Sequence, residues 1–473
     1  MSVEGAEARV APGSFRDPQG QVIELGERVY RALHTPAAPF PQTWSPQGPL
    51  AALVADGKLW PAHPLSPEAI PPDLLRMAPQ AVGFLEHPRL EPITYPFEWP
   101  FALLKRAALL HLDVHRAALA QGLTLADGSA YNVQFVGTRP VFLDSLAFIP
   151  YVEGEPWAGH TQFCESFLNP LLLLARGSEA ARDIYRGRLR GVPVHETARQ
   201  IGWWHALRAG VFMHVIINSM AERSAAAPPK PGSSAPRRPQ SSRGGLELML
   251  SGLRRAIARL ELPRKTRGWG DYEENNSYSD DERRAKAEVV RTFVSQARPK
   301  LLLDIGCNAG EYTELALLAG AQAAIGLERD TSAVERAVQR ADALDKPFLP
   351  LQVDIQNPSP DQGWNLGERS SLRGRLRTDA LLCLALVHHL ALSEGMPLAQ
   401  ILPGIVAFAP RGLIEFVPAE DPMARRIAGP ATRLHHRYDL ATFLAELARV
   451  ATVERQTVLT ASARVLVEYR RAA

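Results

Sequence analysis

The sequence predicts an α/β protein: a doubly wound parallel sheet in the carboxy-terminal half, preceded by an α+β front half. Three observations predict it. Apolar runs at 301–305, 323–327, 348–353, 379–387 and 412–417 are too short for helices, and several close on an acid. Helical spacers separate these runs, as in a parallel sheet covered on both faces whose ligand lies at the carboxyl ends of its strands. Finally, the stretch SAAAPPKPGSSAPRRPQSSRGG from Ser224 to Gly245 lacks large apolar residues and cannot bury enough surface to order itself. The expected units are an α+β domain at 1–222, a linker at 223–245 and the sheet domain at 246–473.

Composition narrows the class. A chain of 473 residues has room for two or three domains, and 46% hydrophobic with 22% charged residues is ordinary for a soluble protein. A net charge of +3 gives no whole-chain argument for nucleic acid or an anionic membrane. Cys164, Cys307 and Cys383 are odd in number and far apart, without metal-ligand spacing. They are expected to be reduced core thiols of a cytoplasmic protein, and no metal site is expected. Met1 to Arg16 carries acids and no apolar core, unlike a secretion signal, and no apolar stretch approaches a membrane span. Oligomeric state is left open.

In the front half, Pro12 to Val22 has the turn chemistry of a hairpin. A helix is expected from Phe101 to Ala120, with Leu103, Leu104, Ala107, Leu110, Val114 and Leu119 inward. After it come Asp127, Asn132, a short strand and Asp144. This order resembles the catalytic region of kinase-like folds, in which the first Asp orients a hydroxyl while the Asn and second Asp hold magnesium. The departures are clear: no His-Arg pair precedes Asp127, Ser145 replaces the usual glycine, and no Gly-rich loop lies upstream. The competing reading gives Asp127, Asn132 and Asp144 to turns and caps. Trp157, His160, Gln162, Phe163, Cys164 and Phe167, then Trp203 and Trp204, read as the core of a helical subdomain reaching about Glu222.

The linker's charges are all positive, at Lys230, Arg237, Arg238 and Arg243, and are read as solvated. Leu246 to Leu262 carries a helical apolar stripe, and Asp280 to Gln296 another with Val289, Val290, Phe293 and Val294 buried. Between them, 268–279 gathers aromatics and amides, Tyr278 among them.

The sheet domain opens on Leu301 to Thr313, LLLDIGCNAGEYT: strand, tight turn, helix. Gly306 lets the backbone bend sharply, and Gly310 lets a ligand or the helix start approach bare backbone. Exposed amides at that helix start suit a carboxylate or phosphate. The turn lacks the middle glycine of G-x-G-x-x-G, so a nicotinamide cofactor is disfavoured. The stretch resembles the first motif of class I S-adenosylmethionine-dependent methyltransferases, which implies a Rossmann-like methyltransferase sheet with S-adenosyl-L-methionine as cofactor. By that resemblance, Asp304, Gly306, Asn308 and Gly310 hold the methionine end. Glu328, ending the second strand, accepts the ribose hydroxyls, Asp354 meets the adenine amino group, and Tyr278 belongs to a flap over the cofactor. The flap residues read equally as an aromatic loop on the sheet edge. The whole layout resembles bacterial nodulation-type proteins, in which a front half precedes a methyltransferase.

The insertion between Asp354 and Asp379 is long, which suggests function. Arg369, Arg373 and Arg375 either clamp an anionic acceptor or pair on the surface with Glu368 and Asp379, and Trp364 is a candidate pocket wall. His388 and His389 follow the fourth strand, and imidazole titrates in the range of a general base. They serve either as base or as cleft wall. Glu415 is the second base candidate, or a solvent-facing acid. His435, His436 and Arg437 read as surface. The expected activity is methyl transfer to an oxygen or nitrogen of a small molecule or saccharide. The rival is a non-catalytic scaffold that binds the cofactor as a sensor, with the front half as its partner-binding module.

Overall fold

The computed structural model describes residues 8–34, 48–208, 210–226, 241–263, 279–428 and 436–471. The front half opens with a five-stranded antiparallel sheet of β1 (Arg9–Val10), β2 (Gly20–Leu25), β3 (Arg28–Leu33), β4 (His63–Pro64) and β5 (Gly83–Pro88). Its order is β1-β2-β3-β5-β4. Alternation puts Ile23 and Leu25 with Tyr30 and Ala32 on one face, where Leu74 and Phe84 close a small core. The expected helix Phe101–Ala120 forms with all six expected residues buried, together with His111 and His115. Two short antiparallel pairs follow: β6 (Leu123–Leu125) with β9 (Phe148–Pro150), and β7 (Val133–Val136) with β8 (Arg139–Phe142).

A helical subdomain then runs from His160 to Ala226 and contains two π-helical turns, Cys164–Leu168 and Met213–Ile217. Trp203 and Trp204 are not core residues, as the sequence suggested. They are 51% and 60% exposed and stack on each other with centroids 4.0 Å apart. The helix expected at Leu246–Leu262 is Arg243–Ala258, and it packs along Phe101–Ala120. Arg254 Nε donates to Asp113 Oδ1 at 2.7 Å and Lys105 Nζ to the Leu260 carbonyl at 2.8 Å. Although it follows the proline-rich stretch in sequence, this helix covers the front half's core because its stripe of Leu246, Leu250, Leu253 and Ile257 finds its apolar complement there.

The carboxy-terminal half is a seven-stranded sheet of order β12-β11-β10-β13-β14-β16-β15. Its strands are β10 (Leu301–Ile305), β11 (Ala323–Glu328), β12 (Phe348–Gln352), β13 (Ala380–Cys383), β14 (Arg411–Phe416), β15 (Thr452–Leu459) and β16 (Arg464–Arg470). The first five are parallel, and β16 runs antiparallel between β14 and β15. This is the expected Rossmann-like doubly wound sheet. Strand order reverses at β10, which has β11 on one side and β13 on the other, so the switch-point crevice opens above its carboxyl end.

The two halves share one buried apolar cluster that includes Phe97 and Leu103 from the front with Val338, Leu349 and Leu376 from the sheet domain. The long insertion docks here. Glu98, 1% exposed, binds the Arg375 guanidinium and the Ser359 hydroxyl. The Arg375 guanidinium also lies over the Tyr95 ring at 3.8 Å, Arg369 lies over Tyr131 at 4.3 Å, and Arg16 pairs with Glu368. Both sequence readings of these arginines are therefore corrected: Arg369 and Arg375 engage front-half groups, because a guanidinium half-removed from water needs a carboxylate or ring face beside it. Arg373 is exposed, and Trp364 is 74% exposed.

Candidate functional site

The loop after β10 is built by backbone conformation. Gly306 has φ +77° and Gly310 φ +83°, while Asn308 takes the same left-handed region at φ +50°. A Cβ on Gly310 would sit 2.6 Å from the Phe348 ring, so the glycine is required by the protein's own packing. Gly306 and Cys307 donate their amides to the Leu327 carbonyl at 2.8 and 3.1 Å, which ties the loop to the end of β11. The loop delivers its chain into the helix Glu311–Leu318.

Around that loop stand the acids. Asp304 is 2% exposed and accepts from the Thr313 hydroxyl at 2.6 Å. Burial raises its pKa to about 6, against the Thr313 hydrogen bond and the charge of Lys286, while Glu328 adds to the rise. Glu328 accepts the amide of Asn308 at 3.0 Å on one oxygen and that of Asp330 at 2.8 Å on the other. Burial pushes it up as well, with those amides opposing. A carboxylate has about four acceptor positions, so room remains for a further donor. Asp354, just beyond β12, accepts from the Gln356 amide at 3.0 Å. Tyr278 lies outside the described residues.

His388 and His389 follow β13 through Ala385, which holds a left-handed φ of +51°. His388 precedes a π-helical turn, His389–Ser393, and its ring centroid is 4.4 Å from that of His389. The His388 side chain is fully buried, and neither ring nitrogen has a hydrogen-bond partner among the described residues. Burial, then the neighbouring His389, Arg464 and Lys286, lowers its pKa to about 2. Burial, with Arg329, lowers that of His389 to about 4. Both rings are neutral at physiological pH.

Glu415 does not face solvent. It is wholly buried, with Lys286 Nζ 2.8 Å from Oε2 and Arg464 Nη1 3.7 Å from Oε1, and Arg464 also donates to Asp421 Oδ2 at 2.8 Å. Two cations beside one carboxylate hold it ionised and weaken its pull on a proton, which disfavours the role of general base. Lys286 and Arg464 were missed as site residues. A signal existed for Lys286: it falls three and four residues before Val289 and Val290, on the helix face expected to be buried. Arg464 has no such signal, since only strand pairing aligns β16 so that Leu466 opposes Glu415.

The front-half trio is brought partly together. Asn132 Nδ2 donates to Asp127 Oδ1 at 2.7 Å, and burial, then the charge of Asp144, lifts the Asp127 pKa to about 7. Asp144 is ion-paired with Arg31 of β3 and caps the turn at Leu146. The carboxylate that the kinase-like resemblance assigns to magnesium is thus held by a guanidinium.

No family model matches the sequence. Nodulation protein NoeA of Rhizobium meliloti (strain 1021) is 37% identical over 465 residues, covering 98% of this chain and 96% of that protein. The chain belongs to the NoeA family of nodulation proteins. Among solved structures, N-methyltransferase NodS from Bradyrhizobium japonicum WM9 is similar at 16% identity, over 41% of this chain and 99% of that one, with a TM-score of 0.31. Magnesium protoporphyrin IX methyltransferase (ChlM) from Synechocystis PCC 6803 is similar at 17% identity, over 43% and 93%, with a TM-score of 0.31. In this NoeA-family chain, no helix among the described residues is long and apolar enough to cross a membrane.

Proposed function

We propose that the carboxy-terminal half is an S-adenosyl-L-methionine-dependent methyltransferase acting on an oxygen or nitrogen of a small molecule or saccharide. The observation that carries this reading is the convergence, at the switch point of the sheet, of Asp304, Glu328 and the left-handed loop 306–310. Two carboxylates whose pKa values are raised chiefly by burial, with Glu328 adding to the rise at Asp304, fit a ligand that brings positive charge and hydroxyl donors. Asp304 and the 306–310 backbone would hold the methionine end, Glu328 the ribose hydroxyls and Asp354 the adenine amino group. When bound, the cofactor supplies a methyl group on an already activated sulfonium.

The protein's remaining work is orientation and proton removal. A hydroxyl acceptor sheds a proton, and the neutral rings of His388 and His389 offer lone pairs beyond β13. His389 is the stronger base, because its pKa is less depressed. His388, wholly buried beside it, is the better fit for the wall of the cleft. The Lys286–Glu415–Arg464 cluster fixes helix Asp280–Ala297 to β14 and β16. The name and organism of the relative support a role in nodulation and a bacterial setting.

The test is calorimetric binding of S-adenosylmethionine to the full chain, with Asp304→Ala and Glu328→Ala beside it. Each substitution is expected to weaken binding about tenfold or more, about 1.4 kcal/mol. Unchanged affinity in both overturns the reading. Incubation with cell extracts then separates enzyme from scaffold, since only an enzyme releases S-adenosylhomocysteine.

A further inference from the structure

His160 and Cys164 are four residues apart and share a helix face, while His214 arrives from a second helical segment 54 residues after His160. Sequence spacing hides the group because cysteines and histidines form no compact motif here. Folding brings them together: His160 Nε2 lies 2.9 Å from His214 Nδ1 and 3.7 Å from Cys164 Sγ, and all three donor atoms fall within 4.8 Å of one another. We propose that His160, Cys164 and His214 bind a zinc-class divalent ion, with water completing a tetrahedral shell.

The geometry is close to what such an ion requires. Zinc–nitrogen distances of about 2.0–2.1 Å and a zinc–sulfur distance of about 2.3 Å place tetrahedral nitrogens about 3.3 Å apart and nitrogen and sulfur about 3.6 Å apart. The two rings need to separate by a few tenths of an ångström, and His214 Nδ1 and Cys164 Sγ, which lie within 4.8 Å of each other, need to settle at about 3.6 Å. Two nitrogens and one soft thiolate select zinc over the hard, oxygen-loving cations.

Two further features favour a metal over a simple buried hydrogen bond between histidines. Cys164 opens one π-helical turn, and His214 lies in the other. Such turns are rare and recur at functional sites, where the wider turn re-aims side chains. Asn218 also stands beside the group: its oxygen accepts from the Thr161 hydroxyl at 3.1 Å, and its buried Nδ2 has no partner within hydrogen-bonding geometry among the described residues. The amide is placed to donate to a thiolate at Cys164, the kind of outer contact that supports a ligating sulfur. On binding, the thiol gives its proton to solvent, and each imidazole keeps its one N–H on the nitrogen that faces away from the ion.

The experiment uses the full chain, stripped with chelator and titrated with zinc, and with cobalt as a spectroscopic stand-in. One equivalent per chain is expected, with a thiolate-to-cobalt charge-transfer band and a raised melting temperature on zinc addition. Cys164→Ser should abolish the band, His214→Ala should weaken binding more than tenfold, and Asn218→Ala should weaken it about tenfold. Circular dichroism confirms that each variant is folded. The proposal falls if the folded wild-type chain binds less than a tenth of an equivalent, or if Cys164→Ser and His214→Ala bind zinc as the wild type does.

Discussion

Acids follow short strands in both halves, yet their surroundings differ. At the ends of β10 and β11, Asp304 and Glu328 are satisfied by neutral donors, a hydroxyl and two backbone amides. In the front half, Asp144 has Arg31 beside it, and Asp127 is left with an amide partner and a pKa near 7. Glu415 is a third case, a carboxylate locked between two cations. An acid's sequence position does not reveal whether it awaits a ligand; the charge state of its folded neighbours does.

Glu415 offers the largest test of that contrast. Glu415→Ala should cost about 3–5 kcal/mol in chemical denaturation, because it removes the carboxylate that lies between the buried cations Lys286 and Arg464. A stability near wild type combined with lost turnover would return Glu415 to the list of bases. Next in size, His389→Ala should lower turnover about a hundredfold with cofactor affinity nearly unchanged. If affinity falls and turnover does not fall separately, the pair is a cofactor wall.

Protonation separates the two acid settings further. Asp304 has a folded pKa of about 6, above its ordinary 3.8, so from this group the ligand-free protein loses stability as pH rises from 3.8 through 6. A positively charged ligand requires the carboxylate, so S-adenosylmethionine affinity should fall as pH drops below about 6. Asp304→Asn should flatten that profile; a wild-type profile already flat from pH 5 to 8 contradicts the assignment. The front half supplies the parallel test at Asp127, whose folded pKa of about 7 likewise lies above 3.8. Its contribution declines between those values, so Asp127→Asn should gain stability relative to wild type as pH rises from 4 to 8, with cofactor binding untouched. Denaturation at both pH values checks it.

Much of the sheet domain was legible because its signals are local. Leu301 to Thr313 announces strand, turn and helix through apolar run and glycine spacing, and the helix Glu311–Leu318 forms where expected. The next strands were marked by the same short runs, and β11 ends on Glu328 as read. Arg464 could not be found this way, since its partners Glu415 and Asp421 are distant in sequence and meet only through antiparallel pairing. Nor could the docking of Arg243–Ala258 on the front half, because an apolar stripe states that it must be buried but not against which surface.

The sequence alone determined the fold of the carboxy-terminal half, the position of its glycine loop and the acids around it, since period, turn chemistry and strand length are properties of neighbouring residues. Tertiary structure decided the rest: that Glu415 is an ion-pair centre, that Arg31 holds Asp144, that Arg375 is buried against Glu98, and that His160, Cys164 and His214 meet. Each depends on charge or donor atoms separated widely along the chain, whose energies act through space and leave no local pattern.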